Sequence, residues 1–213
     1  MNSSKDYYNS YWETGSHGGV IQGYYSNLLR WLNRELQQTQ TYETILEAGC
    51  GAAAFTPHLA RRTNNMRACD ISAGQIKKNS ETFKNIHFFT QDLGTPLACE
   101  NNSVDVIWCS EVLEHLFNPA FAVGEFYRVL KPKGKLLVTV PYHGCLKNTL
   151  IALFKWDEHF SPDNPHIRFF TKKTISRVVN TAGYRNIRME TCGIGKPFRD
   201  CFVPTNLLLT AVK

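Results

Sequence analysis

At 213 residues the chain has the length of one domain, or of one domain carrying an insertion, and it can bury a full layered core. Its formal net charge of +6 comes from Lys and Arg that are scattered or in short pairs, as at Arg61-Arg62, Lys77-Lys78 and Lys172-Lys173. With no run of five or six like charges there is no basic track for nucleic acid, and the mild basicity suits acidic small molecules or a solvated surface. Seven cysteines with no Cys-x-x-Cys pair argue against a disulfide framework or a zinc site, so no metal is expected and a reducing compartment is. The N-terminus lacks the apolar core of a signal peptide, and no apolar run approaches the roughly 18 residues of a membrane span. A cytoplasmic protein without stable membrane insertion is expected, as a monomer or homodimer.

Residues 1–18 are polar and aromatic, with Tyr7, Tyr8, Tyr11 and Trp12. From 19 to 36, Val20, Tyr24, Leu28, Leu29, Trp31, Leu32 and Leu36 recur at helical spacing, so 1–40 is an aromatic arm plus an amphipathic helix. The apolar run 44–48 is a buried parallel strand. Gly49 and Gly51 follow it, and from Ala52 onward, with Phe55, Leu59 and Ala60, a helix is expected. Strand, glycine turn and helix together bring backbone close to a ligand at a helix N-terminus.

Alternation then continues: a strand at 66–69 ending in Asp70, a helix from 73 to about 83, and strands at 86–90 and 104–109. A helix from Pro119 to 130, a Lys-Pro-Lys-Gly turn at 131–134 and a strand at 135–140 complete it. This predicts a parallel sheet with helices on both faces. Toward the C-terminus a helix over 171–182 starts at a Thr171 cap and stops at Gly183. Two strands, 184–191 and 206–212, follow with only a Gly- and Pro-containing loop between them, which allows antiparallel pairing. Residues 142–170 interrupt the pattern: a short apolar helix (Leu146, Leu150, Ile151, Leu153, Phe154, Trp156), then a polar stretch, forming an insertion over the ligand-binding edge of the sheet.

Gly49-x-Gly51-x-x-Ala54 satisfies a relaxed dinucleotide fingerprint, so a nicotinamide-dependent oxidoreductase is one reading. Glu47 speaks against it, because a carboxylate two residues before the first glycine would repel a pyrophosphate and attract an ammonium or sulfonium. Glu-Ala-Gly-Cys-Gly at 47–51 resembles the first motif of class I S-adenosylmethionine (SAM) methyltransferases. Four further segments resemble that family: Asp70-Ile71 after the second strand, Gln91-Asp92-Leu93 after the third, Ser110-Glu111-Val112-Leu113-Glu114-His115-Leu116 after the fourth, and Arg-Val-Leu-Lys-Pro-Lys-Gly at 128–134. The chain departs from the family at Ala52-Ala53-Ala54.

The resemblance implies a single Rossmann-like, doubly wound α/β domain over 1–213, with seven strands, mostly parallel, and an antiparallel C-terminal pair. It implies SAM as cofactor, bound by Glu47, Ala48, Gly49, Cys50 and Gly51, with Asp70 on the ribose and Ile71 near adenine. Asp92 and Leu93 would read the adenine edge, and Ser110, Glu111 and Val112 would line the methionine and sulfonium, with His115 either beside the pocket or in the core. His166-Ile-Arg168-Phe-Phe-Thr resembles a branch of small-molecule and sugar methyltransferases. A hydroxyl acceptor is helped by a base, for which His143 and His166 are the candidates. Tyr142, His159 and Arg168 would face the substrate, and Tyr11 and Trp12 would form part of a lid. The expected substrate is small and partly apolar, such as an aromatic, quinone-like or sugar metabolite. A protein that binds SAM without turnover stays open.

Overall fold

The structure, a computed structural model, describes residues 4–14, 22–37, 41–161 and 164–213. Two helices come first, α1 (Ser4–Thr14) and α2 (Gln22–Glu35); Val20, Gly15 and His17 lie outside the described residues. The sheet is built from β1 (Tyr42–Ala48), β2 (Thr63–Asp70), β3 (His87–Thr90), β4 (Val104–Ser110), β5 (Leu130–Pro141), β6 (Arg185–Cys192) and β7 (Asn206–Val212). Helices α3 (Thr56–Ala60), α4 (Ala73–Thr82), α5 (Pro119–Val129) and α8 (Lys172–Thr181) connect them, with α6 (Cys145–Phe154) and α7 (Trp156–His159) in the insertion and α9 (Pro197–Phe202) before the last strand.

The seven strands lie in the order β3-β2-β1-β4-β5-β7-β6. β1 through β5 pair in parallel, and β7 runs antiparallel to both β5 and β6. The order reverses at β1 and β4, which places the switch point beside the glycine turn, where open α/β sheets bind ligands. The expected mixed seven-stranded sheet is what the chain forms.

Strand periodicity divides the core. Leu46, Ile107, Cys109 and Val138 face α5 and α8 with Phe126, Ile175 and Val179, whereas Ile45, Val106, Trp108 and Leu137 face α2 with Leu28, Trp31 and Leu32. Trp108 is fully buried, its ring 5.7 Å from that of Trp31 and 5.1 Å from that of Phe55.

Caps follow the sequence where short polar residues precede helices. Ser72 accepts from Gln75 N, Asn118 accepts from Phe121 N ahead of Pro119, and Thr171 and Thr174 make a reciprocal capping box.

Four expectations are corrected. The helix after the glycines starts at Thr56, because Gly51 to Phe55 form turns and Ala53 takes φ +60°. The 131–134 turn is a bulge inside β5: Leu130 sits opposite Val104 and Lys135 opposite Val106, with Lys133 at φ +67° between them. The loop between β6 and β7 holds α9. The single apolar helix of the insertion is two, broken at Lys155.

Candidate functional site

At the end of β1 the backbone turns through Gly49 (φ +79°) and Gly51 (φ +46°). A Cβ on Gly49 would stand 2.3 Å from a Val112 methyl, and one on Gly51 would stand 2.6 Å from the Trp12 ring. These glycines are required by conformation and by close approach at once. Val112, from the segment after β4, and Trp12, from α1, thus both lie against the turn. The N–H groups of Gly49 and Cys50 donate to Cys69 O, at 2.8 and 2.9 Å, and Asn79 Nδ2 donates to Gly51 O at 2.8 Å. The turn is held from three sides before any ligand arrives.

Asp70 closes the ring of contacts. Its Oδ2 accepts from Gly51 N at 2.9 Å and its Oδ1 from Ser72 N at 3.0 Å, and Ile71 N–H also bonds the carboxylate, which keeps lone-pair capacity to spare. Burial raises its carboxyl while those N–H groups pull it back down. Glu47 is shut in more completely: it is 3% exposed and its carboxyl accepts from the Thr56 hydroxyl. Burial pushes it up to about 8, so near neutral pH it holds its proton, and a cation bound alongside would favour its release. The sequence suggested an ionised carboxylate; the neutral form results because β1 ends inside the core. Ala48 and Cys50 are buried in the same turn, and Ile71 is half-buried beyond Asp70.

After β3, Asp92 is exposed and its Oδ1 accepts from Gly94 N at 2.7 Å, while Leu93 is buried. Gln91 ties this loop down, donating to Asp92 O and Thr95 Oγ1 and accepting from Ala98 N. After β4, Ser110 Oγ lies 2.8 Å from Thr139 Oγ1. Glu111 takes φ +55°, and its carboxylate accepts from Thr139 Oγ1 and Asn206 Nδ2, both at 2.8 Å. Asn206 also donates to Tyr24 OH, so this carboxylate is absorbed in a network spanning β5, β7 and α2.

The four histidines fall into two touching pairs. His115 and His166 have ring centres 4.9 Å apart, and His143 and His159 5.3 Å apart. His143 is 4% exposed; its Nδ1 meets Asn148 Oδ1 at 3.1 Å, and burial with the nearby Lys147 lowers it to about 4. His166 is lowered to about 4 by burial and by neighbouring histidines, His115 first. Burial also lowers His115 and His159. Burial thus works against the protonated form at all four.

Tyr142 bridges Phe170 beside them, and the Arg168 side chain turns outward to the Phe117 carbonyl and ring. From α1, Tyr8 sets its ring 5.9 Å from that of His115, Tyr11 meets Trp12 edge-on at 5.4 Å, and Asn9 accepts from Ser72 Oγ at 2.8 Å. The aromatic arm therefore spans the glycine turn, the Asp70 end of β2 and the histidines. An open cleft of about 300 Å³ lies under α6, with Tyr142 in its wall, and another of about 340 Å³ lies between α2 and β6. Sequence reasoning missed Asn9, Asn79, Thr139 and Asn206, which are lone polar residues with no motif around them. It quoted Glu114 inside a motif without giving it a role.

A glycine turn at the sheet's switch point, an acid on the next strand and a reversed β7 define a nucleoside-type ligand site on a methyltransferase sheet. Residues 21–189 match the family model described as a methyltransferase domain, and the chain belongs to that family. It is 34% identical over 103 residues, 45% of its length and 21% of the relative's, to phosphoethanolamine N-methyltransferase 1 of Triticum aestivum. It is 27% identical over 99 residues, 45% of its length and 41% of the relative's, to the ubiquinone biosynthesis O-methyltransferase of Xanthomonas oryzae pv. oryzae. The chain thus spans less than half the length of these curated relatives. Its fold is that of a SAM-dependent methyltransferase from Archaeoglobus fulgidus, at a TM-score of 0.66 and 16% identity over 89% of this chain and 94% of that one.

Proposed function

We propose that the protein transfers a methyl group from SAM to a hydroxyl of a small, partly apolar molecule, aromatic, quinone-like or sugar. The observation that carries the cofactor is the Asp70–Gly51 contact, which fixes a carboxylate with spare lone pairs at the open end of the glycine turn. In this reading Asp70 receives the ribose hydroxyls, the loop of Asp92 and Leu93 borders adenine, and Glu47 lies beneath the ammonium end. Val112 and Ser110 face the sulfonium, and Trp12 and Tyr8 cover the ligand once it is seated.

Methyl transfer is an in-line displacement whose rate owes much to positioning and exclusion of water. The α1 arm supplies the exclusion. Among the histidines, His143 bonds Asn148 and His115 bonds Pro165 O through Nδ1, so His166, whose ring lies against that of His115, is the one assigned to the acceptor. The apolar part of the substrate is supported by α6, none of whose residues is buried and whose Leu146, Leu150 and Leu153 are exposed. The names of the relatives, one acting in ubiquinone biosynthesis and one on phosphoethanolamine, are consistent with small acceptors.

Thermal unfolding with S-adenosylhomocysteine and with NADH tests the cofactor: the former is expected to raise the midpoint by mass action and the latter to leave it unchanged. A shift with NADH alone would replace this reading by the oxidoreductase one.

A further inference from the structure

Glu114 is the outlier of this molecule. It is 0% exposed, yet among the described residues neither carboxylate oxygen has a hydrogen-bond partner. The Nε2 of His115 stands 3.8 Å from Glu114 Oε1. Buried carboxylates are ordinarily paired, hydrogen-bonded or bound to metal, because an unmatched one carries its full desolvation cost. Glu125, on the same side of the chain, shows the ordinary solution: it is hydrogen-bonded to Arg128 and to Leu97 N.

The surroundings of Glu114 are built. The N–H groups of Ile167 and Arg168 both donate to the Glu114 carbonyl, at 3.0 and 2.9 Å, and His166 N donates to Asn164 Oδ1 at 3.0 Å. These bonds lock the 164–168 segment against the turn carrying Glu114 and His115. His115 Nδ1 lies 3.1 Å from Pro165 O, so its proton sits there and Nε2 is left as a lone pair on the Glu114 side. A backbone carbonyl that fixes the tautomer of a histidine is the usual support of a metal-ligating imidazole. One donor atom from each of Glu114, His115 and His166 lies within 4.8 Å of the others. Metal–ligand bonds of about 2.0–2.2 Å set donor atoms roughly 3–3.6 Å apart, so the three would close by about 1 Å on binding an ion.

We propose that Glu114, His115 and His166 form a divalent transition-metal site. A carboxylate with two imidazoles suits Zn²⁺, Mn²⁺, Fe²⁺ or Co²⁺ better than Mg²⁺ or Ca²⁺, which favour oxygen ligands. Three protein ligands leave coordination positions open. If the methyl-transfer reading above holds, on which this second point rests, those positions take the acceptor oxygen and lower the pKa of its hydroxyl. The ion would then do what a weakly basic histidine cannot. The cysteine pattern that argued against zinc does not bear on this site, whose donors contain no sulfur.

The test uses the full chain, stripped with chelator and titrated with Co²⁺ alone. One equivalent should bind, with d–d bands and no thiolate charge-transfer band, and E114Q and H166A should each weaken binding at least about tenfold. Should E114Q fail to fold, H166A carries the test, since His166 is only half-buried. No binding by the wild type, a thiolate band, or unchanged affinity in H166A would overturn the site. S-adenosylhomocysteine affinity, measured in the same variants without metal, should stay at the wild-type level. Loss of cofactor binding in the wild type would sink the methyltransferase reading while leaving the metal titration readable.

Discussion

The end of β1 and the 142–170 insertion are opposite solutions to the problem of holding a ligand. Around Gly49 and Gly51 nearly every polar group is bonded within the protein, and two residues have no room for a Cβ. Along α6 no residue is buried, and Leu153 and Phe154 are 67% and 74% exposed. The first region is preorganised for one ligand. The second offers apolar surface whose fit depends on what it meets. Under the proposed function, cofactor identity would reside in the rigid half and acceptor identity in the adaptable half, so substitutions in the two should fail differently.

The largest expected effect lies under the rigid half. Trp108→Ala should cost about 3–5 kcal/mol in denaturant unfolding, because the ring is fully buried between Trp31 and Phe55. A loss under 1 kcal/mol would mean that the sheet beneath the site is looser than its packing. Gly49→Ala comes next, with about 1–3 kcal/mol from the positive φ and a further steric cost against Val112. It should also weaken S-adenosylhomocysteine binding in calorimetry, since Val112 must shift.

Asp70→Ala should lower that affinity about tenfold or more, as expected for a hydrogen-bonding carboxylate. Wild-type affinity in this variant would remove Asp70 from the ribose.

Glu47 supplies a pH prediction. Its folded pKa of about 8 lies above the ordinary carboxylate value of 4.5, so the folded state keeps a proton that the unfolded chain releases. Its contribution is complete below the unfolded pKa and is lost as pH rises from 4.5 to about 8, by up to about 1.4 kcal/mol per pH unit. The ligand-free melting temperature should fall more steeply across this window in the wild type than in Glu47→Gln. Equal slopes would show that the carboxyl is not held neutral.

The smallest effect belongs to the adaptable half. Leu153→Ser should change stability by no more than about 0.5 kcal/mol, as at an exposed site, while raising the KM for an apolar acceptor. A large loss of stability would show that α6 is part of the core after all.

The same contrast explains what the sequence could disclose. The parallel sheet was legible because β1, β4 and β5 are apolar runs bounded by turn residues, and the antiparallel β7 followed from a Gly- and Pro-containing connection, whose short α9 does not cross over the sheet to a parallel neighbour. The glycine turn was legible because φ above zero and contact without a Cβ leave few alternatives to glycine. What followed the turn was not: Ala52-Ala53-Ala54 favours helix by propensity, yet Ala53 takes φ +60° because Asn79 and Asp70 hold the loop from outside. The pairing of His115 with His166 bridges 51 positions of sequence, and no local period reports such a contact. Nor could the pattern show that Glu111 is bonded into the sheet while Glu114, three residues on, is not.

The central claim is that the Gly49–Gly51 turn and Asp70 hold S-adenosylmethionine beneath the α1 arm. Limited proteolysis near Trp12, with and without S-adenosylhomocysteine, tests it most directly. Protection of that site by the ligand in the wild type, reduced in Asp70→Ala, is the predicted result. Cleavage at the same rate with and without ligand would contradict it.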